Sequence, residues 1–321
     1  YRTFEMGCEF IRTNHNQDNW FLHIETFDPH EPYFTHRKYK DLYPHDYRGR
    51  HFDWPPYREV RETPEELQHC RYESAALHSM CDAHLGKVLA LLDEYDLWRD
   101  TLLIVNTDHG FLMGEHGCWA KCWAPFYNEV AHTPLFIWDP RFRKAGERRK
   151  SLVQTIDLPA TLLEFFGVPQ PPDMQGTALA ATVAEDRPVR PAGLFGIHGG
   201  HVNVTDGRYV YMRGPARAEN TPLYNYTVMP THMRGYFSLD ELKTAEMAPP
   251  FSFTKGTRTM RTSASGKYGR NLSTMLFDLA DDPLQERPIR NPEVERRMVE
   301  HLVRLMKWND APAEQFERLG L

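Results

Sequence analysis

The sequence predicts an α/β fold followed by a smaller α+β domain. Three observations carry that expectation. Apolar runs at residues 20–24, 102–105 and 134–138 alternate with segments of helical spacing. The first two of these runs break into polar tips rich in Asp, His and Thr. Beyond about residue 186 the strands become short and alternate apolar with polar residues, the texture of an antiparallel sheet.

Taken in order, Trp20-Phe21-Leu22-His23-Ile24 reads as a buried strand that ends in Glu25-Thr26-Phe27-Asp28-Pro29-His30-Glu31-Pro32. A long loop over 28–63 follows, carrying Pro29, Pro32, Pro44, Pro55 and Pro56 with many aromatics and histidines; loops this long are usually functional. Thr63-Pro64-Glu65-Glu66 is a capping box with Pro at the first helical position. Leu67, Cys70, Ser74, Leu77, Cys81, Leu85, Val88, Leu89 and Leu92 then keep helical spacing, so the helix should run to about Tyr95. Leu102-Leu103-Ile104-Val105 is a second strand, with the tip Asn106-Thr107-Asp108-His109-Gly110. Pro134-Leu135-Phe136-Ile137-Trp138 is a third. A short helix is expected over 158–166, with Asp157 as N-cap and Gly167 as the stop. Strands and helices in this alternation predict a mostly parallel sheet covered on both faces, with ligands beyond the carboxyl ends of its strands. The smaller domain should hold strands at 193–198, 201–204, 208–213 and 275–279, a loop-rich stretch at 214–272, and a last helix opening at Asn291-Pro292. The expected domains are 1–185 and 186–321.

Composition narrows the function classes. The 321 residues are 41% hydrophobic, enough for a sizeable core. The formal charge of −6 weighs against a nucleic-acid or anionic-membrane binder. No apolar run approaches the ~18 residues of a membrane span. Five cysteines without clustered spacing do not describe a disulfide scaffold. There is no Gly-x-Ser-x-Gly elbow and no glycine-rich phosphate loop. The oligomeric state and the compartment are not readable.

Asp108 and His109 form the strongest local signal. A carboxylate and an imidazole at a strand end suit Zn, Mn or Fe, and Ca where more oxygens join; the plainer alternative is that Asp108 caps the turn and His109 packs. Lys121, in a glycine-flanked loop just beyond, either holds an anionic group as a point charge or is a solvated lysine. His30 lies between Pro29 and Pro32, which would stiffen it for hydrogen bonding or proton transfer; otherwise it is structural. Cys118 and Cys122 with His109 and His116 are spaced too loosely for a structural zinc site.

The stretch TLLIVNTDHGFLMGEHGCWAKCWAPFYNEVAHTPLFIWDP resembles the sulfatase family of the alkaline-phosphatase superfamily. FLHIETFDPHEPYF, YESAALHSMCDAHLGKVLALLDEYDLWRDTLLIV, VQTIDLPATLLEFFGVPQPPDMQGTAL and MLFDLADDPLQERPI agree in the right order, so the likeness spans roughly residues 19–290. It implies a large α/β domain with a central mixed sheet flanked by helices, and a smaller C-terminal domain with an antiparallel sheet. It implies sulfuric ester hydrolysis, with Asp108 and His109 matching metal ligands and Lys121 and His30 matching residues that contact the sulfate group and the leaving oxygen. The implied cofactors are a divalent cation, Ca2+ first with Mn2+ or Zn2+ as alternatives, and a formylglycine nucleophile. The implied substrate is a small-molecule or saccharide sulfate ester.

The family's Cys/Ser-x-Pro-x-Arg motif is not among these residues. Cys8, Cys70, Cys81, Cys118 and Cys122 are each followed by other residues. The expectation is therefore a C-terminal portion whose N-terminal nucleophile segment acts as its partner, with this portion inactive alone. A phosphodiester or phosphonate monoester hydrolase on the same scaffold is the close alternative, and a scaffold module without activity is the distant one.

Overall fold

The computed structural model describes residues 2–264 and 272–321. It divides into two compact units, Tyr1–Lys121 with Thr133–Glu147, and Cys122–His132 with Arg148–Leu321. The second unit thus takes in Cys122–His132 and everything from Arg148 onward, whereas the change of strand texture points to residue 186.

In the first unit, helix α1 (Arg2–Asn14) packs along the long helix α3 (Pro64–Glu94); α2 (Arg37–Lys40) is a single turn between them. The Thr63 hydroxyl accepts the Glu66 N–H and the Glu66 carboxylate accepts the Thr63 N–H, so the expected capping box starts α3. Cys8, Ile11, Val88, Leu91, Leu92 and Leu97 form the core between the helices. Gly7 lets the segment over 20–24 lie against α1: a Cβ there would stand 2.5 Å from Ile24 Cδ1.

Residues 20–24, expected as a strand, run without a ladder among the described residues. Trp20, Leu22 and Ile24 still turn onto the helix core while Phe21 faces out, so the period of a strand is present but no neighbour pairs with it. Strand β1 (Leu103–Asn106) is followed by the two-residue strands β2 (Leu112–Met113) and β3 (Trp119–Ala120), which pair as a hairpin. Strand β4 (Leu135–Trp138) then lies antiparallel to β1, from Leu103 opposite Trp138 to Asn106 opposite Leu135. This corrects the parallel arrangement. A parallel pair needs a crossover that carries the chain back to its start, and between β1 and β4 the chain makes only the hairpin and the one-turn helix α4 (Asn128–Ala131).

In the second unit, α5 (Asp157–Phe165) and α6 (Ala180–Glu185) precede a four-stranded antiparallel sheet. It contains β5 (Gly193–Gly196), β6 (Val202–Thr205) and β7 (Tyr209–Arg213), with the last strand in the chain paired to β7. Between them lie β8 (Tyr224–Thr227), α7 (Leu239–Lys243), β9 (Glu246–Ala248) and β10 (Thr259–Ser263). These strands form a second sheet of order β8-β10-β9, where the sequence reading expected mainly loop; residues 265–271 lie outside the described residues. The short strands were hidden because their burial hardly alternates. Strand β11 (Met275–Asp278) completes the first sheet. Helix α8 (Pro292–Trp308) lays Met298, Leu302 and Met306 on Val204, Tyr211 and Leu276, and α9 (Ala313–Leu319) adds Leu319. Asp157 is not the N-cap of α5: Ile156 holds that position, and the Asp157 carboxylate instead accepts the N–H groups of Gln154 and Thr177 at 2.8 Å.

No disulfide joins the five cysteines. Among the described residues, no helix is long and apolar enough to cross a membrane.

Candidate functional site

All four site residues expected from the sequence fall in the first unit. Asp108 and His109 follow β1 directly, at the tip where the strand hydrogen bonds stop. Asp108 Oδ1 accepts the His109 N–H at 2.9 Å and the Thr107 hydroxyl at 3.3 Å. His109 Nδ1 lies 2.9 Å from the Gly110 carbonyl oxygen; since a carbonyl only accepts, Nδ1 carries the proton and Nε2 presents its lone pair. That Nε2 stands 3.5 Å from Asp108 Oδ2. Two ligands on one cation, at ordinary metal–oxygen and metal–nitrogen lengths, stand about 3 to 3.5 Å apart. The pair therefore fits as two ligands of an ion. Its carboxylate is 83% exposed, open to an incoming cation. Partial desolvation pushes the Asp108 carboxyl up, but the charge that His109 carries when protonated and the N–H and O–H donors beside it outweigh this and hold it below the usual range. Among the described residues no group of three or more His, Cys, Asp or Glu is placed to hold a metal, so these two donors do not complete a coordination shell.

Lys121 follows β3, and its position is fixed from two sides. Residues 58–60 pair with the strand leading to it: Trp119 N–H donates to Arg58 O, Val60 N–H donates to Gly117 O, and Glu59 bridges Cys118. From α3, Arg71 donates to Met113 O at 2.8 Å and to Glu115 at 3.1 Å, which holds the other side of the hairpin. The hairpin turns through Gly114 at φ 104°, a conformation that favours glycine, and a Cβ there would meet Leu67 Cδ1 at 2.6 Å. Ala120 beside Lys121 also has positive φ, 71°, a strained value for a residue with a side chain.

The Lys121 side chain is 9% exposed. Its Nζ stands 3.9 Å from Glu31 Oε2 and 5.9 Å from the centroid of the Phe111 ring. Glu31 is buried, 3% exposed, and its Oε1 accepts the Tyr57 hydroxyl at 2.6 Å. His30 meets the same carboxylate, with Nδ1 3.4 Å from Glu31 Oε2 and 2.5 Å from the Glu31 carbonyl oxygen. The Phe27 ring lies 4.4 Å from the His30 ring. The structure thus joins His30 and Lys121 through Glu31, and joins Asp108 and His109 to each other. Phe111, two residues beyond His109, links the pairs along the chain: its ring lies beneath Lys121 and meets Tyr33 and Tyr57 edge-on.

Glu31 and Tyr57 are the residues that sequence reasoning passed over. The signal for Glu31 was present, an acid wedged between His30 and Pro32 in an otherwise aromatic loop. Nothing in the sequence pairs it with Tyr57, 26 residues away. Burial pushes the neighbouring Tyr33 hydroxyl far above its usual range, so it stays neutral here and donates to Met113 Sδ at 3.3 Å.

The sulfatase family model matches residues 2–168, just over half of the chain and all four of these positions. Human arylsulfatase K is 32% identical over 125 residues, which are 39% of this chain and 23% of that protein. A structure solved with its substrate D-glucosamine-2-N,6-O-disulfate superposes with a TM-score of 0.56 at 17% identity, covering 79% of this chain and 44% of that one. The phosphonate monoester hydrolase SpPMH from Silicibacter pomeroyi superposes with a TM-score of 0.60 at 18% identity, covering 95% and 60%. The chain spans less than half the length of the curated relative, and the two structures show a shared fold. On the strength of the match over residues 2–168, the chain belongs to the sulfatase family, of alkaline-phosphatase-like fold.

Proposed function

We propose that the protein hydrolyses a sulfate ester, with Lys121 and His30 acting on the substrate and Asp108 and His109 supplying two ligands of a divalent cation. The observation that carries this reading is that the sulfatase match encloses a buried lysine and a loop histidine sharing one carboxylate. A sulfate ester is a weakly basic tetrahedral anion, so stabilising it is chiefly an electrostatic task. The ammonium of Lys121 binds an ester oxygen and offsets charge growing on the leaving oxygen. In its doubly protonated form His30 keeps its Nδ1–H on the Glu31 carbonyl and gives the Nε2 proton to the departing alcohol, returning to the neutral ring. The Phe111 ring and the surrounding aromatics exclude water around Lys121, which strengthens the attraction. A cation held by Asp108 and His109, Ca2+ first and Mn2+ or Zn2+ otherwise, would supply charge stabilisation on the nonbridging oxygens. The nucleophile, formylglycine in the resemblance, belongs to a segment outside this chain; this chain by itself then has no turnover.

The likeness to SpPMH supports a second reading, a phosphonate monoester or phosphodiester hydrolase, because a tetrahedral anion site separates sulfur from phosphorus poorly. Full-length protein assayed on an aryl sulfate, an aryl phosphate diester and an aryl phosphonate monoester decides between them. Faster turnover of the sulfate supports the first reading, and turnover of the phosphorus esters alone overturns it.

A further inference from the structure

We propose that Glu31 is the positioning residue of this site: its buried carboxylate keeps Lys121 and His30 in place while leaving the lysine donors free for substrate. The proposal deepens the hydrolase reading and rests on it. Glu31 sits out of water, and a buried carboxylate is stable only when its oxygens are matched by donors or cations. Each oxygen has a separate task. Oε1 accepts the Tyr57 hydroxyl at 2.6 Å, which anchors the carboxylate to the aromatic loop. Oε2 faces two nitrogens, His30 Nδ1 at 3.4 Å and Lys121 Nζ at 3.9 Å.

The length of the lysine contact matters. At 3.9 Å the pair attracts by charge, yet the separation exceeds that of a hydrogen bond. An ammonium has three N–H donors and no acceptor. A direct hydrogen bond to Glu31 would take one of them and turn it away from an incoming ester. The longer contact balances the buried charge without using a donor. The Phe111 ring face, 5.9 Å from Nζ, attracts the ammonium without accepting a conventional hydrogen bond. Lys121 is therefore held by two partners that leave its donors available.

The same carboxylate opposes an anionic substrate. Glu31→Gln keeps the shape and the acceptor for Tyr57 but removes the negative charge beside Lys121. Two effects of opposite sign follow. Substrate binding is no longer resisted by Glu31, so KM stays level or falls. Lys121 and His30 lose the anchor that aligns them with the leaving oxygen, so kcat falls, by roughly tenfold to a hundredfold. Loss of structure alone would not split kcat from KM in this way.

The test compares full-length wild type with Glu31→Gln, Glu31→Asp and Tyr57→Phe. Two readouts are used: kcat and KM on p-nitrophenyl sulfate and p-nitrophenyl phenylphosphonate, and the side-chain ammonium 1H–15N spectrum of protein labelled with 15N-lysine. The Lys121 signal is assigned by its loss in Lys121→Met. The expected result is a lower kcat without a higher KM in Glu31→Gln, a displaced or broadened Lys121 ammonium signal, and partial recovery of both in Glu31→Asp. Wild-type kcat with an unmoved ammonium signal in Glu31→Gln overturns the proposal, as does a rise in KM at constant kcat. If the wild type turns over neither ester, the hydrolase reading fails by itself, and the ammonium spectrum alone decides whether Glu31 positions Lys121.

Discussion

Lys121 Nζ stands 3.9 Å from Glu31 Oε2, so the cation and the acid of this site form an ion pair in which both side chains are nearly out of water. Removing the lysine leaves a buried carboxylate without its cation. Lys121→Met should lower kcat/KM on an aryl sulfate by about a hundredfold or more, and should cost about 1 to 3 kcal/mol of stability. Steady-state kinetics and urea unfolding of the full-length protein check the two effects separately. A variant with ordinary kcat/KM would remove Lys121 from the mechanism.

Asp108 and His109 present one oxygen and one nitrogen 3.5 Å apart. His109→Ala and Asp108→Ala should each weaken Ca2+ or Mn2+ binding to the full-length protein by about tenfold or more. With only these two donors gathered among the described residues, this chain alone should bind either ion weakly. Calorimetric titration measures both expectations, and tight stoichiometric binding by the isolated chain would contradict the second.

Glu62 lies beneath the segment that carries Lys121, with its side chain 2% exposed. Burial raises its carboxyl, but the Arg61 N–H, the Trp119 indole and the Arg58 guanidinium outweigh burial and hold it at about 2. A carboxyl lower in the folded than in the unfolded chain stabilises the fold above the unfolded value. That contribution fades as pH falls from about 4.5 toward 2, and amounts to about 3 kcal/mol at neutral pH. Glu62→Gln should flatten the decline in urea midpoint between pH 5 and pH 2 by about this amount. A wild-type slope in the variant would show that Glu62 titrates normally.

Asp157 is fully buried, accepts the Gln154 and Thr177 N–H groups at 2.8 Å, and pairs with Arg190. Asp157→Ala would leave two amides without their acceptor and the Arg190 guanidinium without its carboxylate. It should destabilise the second unit by about 3 to 5 kcal/mol, measured by thermal unfolding. Asp157→Asn keeps the size and one acceptor oxygen and should cost less.

Local chemistry was legible in the sequence. The capping box of α3, the apolar run of β1, the Asp108-His109 tip and the glycine-flanked loop of Lys121 were all readable because each depends on residues close together in the chain. The stretch over 20–24 shows where that ends. Its alternation is that of a strand, but a strand exists only by pairing, and pairing is decided by what lies alongside. The direction of β4 escaped for the same reason, since apolar content does not tell a parallel from an antiparallel neighbour.

What the sequence determined by itself is the family; it also named His30, Asp108, His109 and Lys121 as the candidates for the site. What only tertiary structure decided is that Glu31 joins His30 to Lys121 and that Tyr57 holds Glu31. Glu31 and Lys121 are 90 positions apart in sequence, and nothing between them encodes their meeting. Burial brings them together, because a charge taken out of water must find its opposite wherever the fold has placed it.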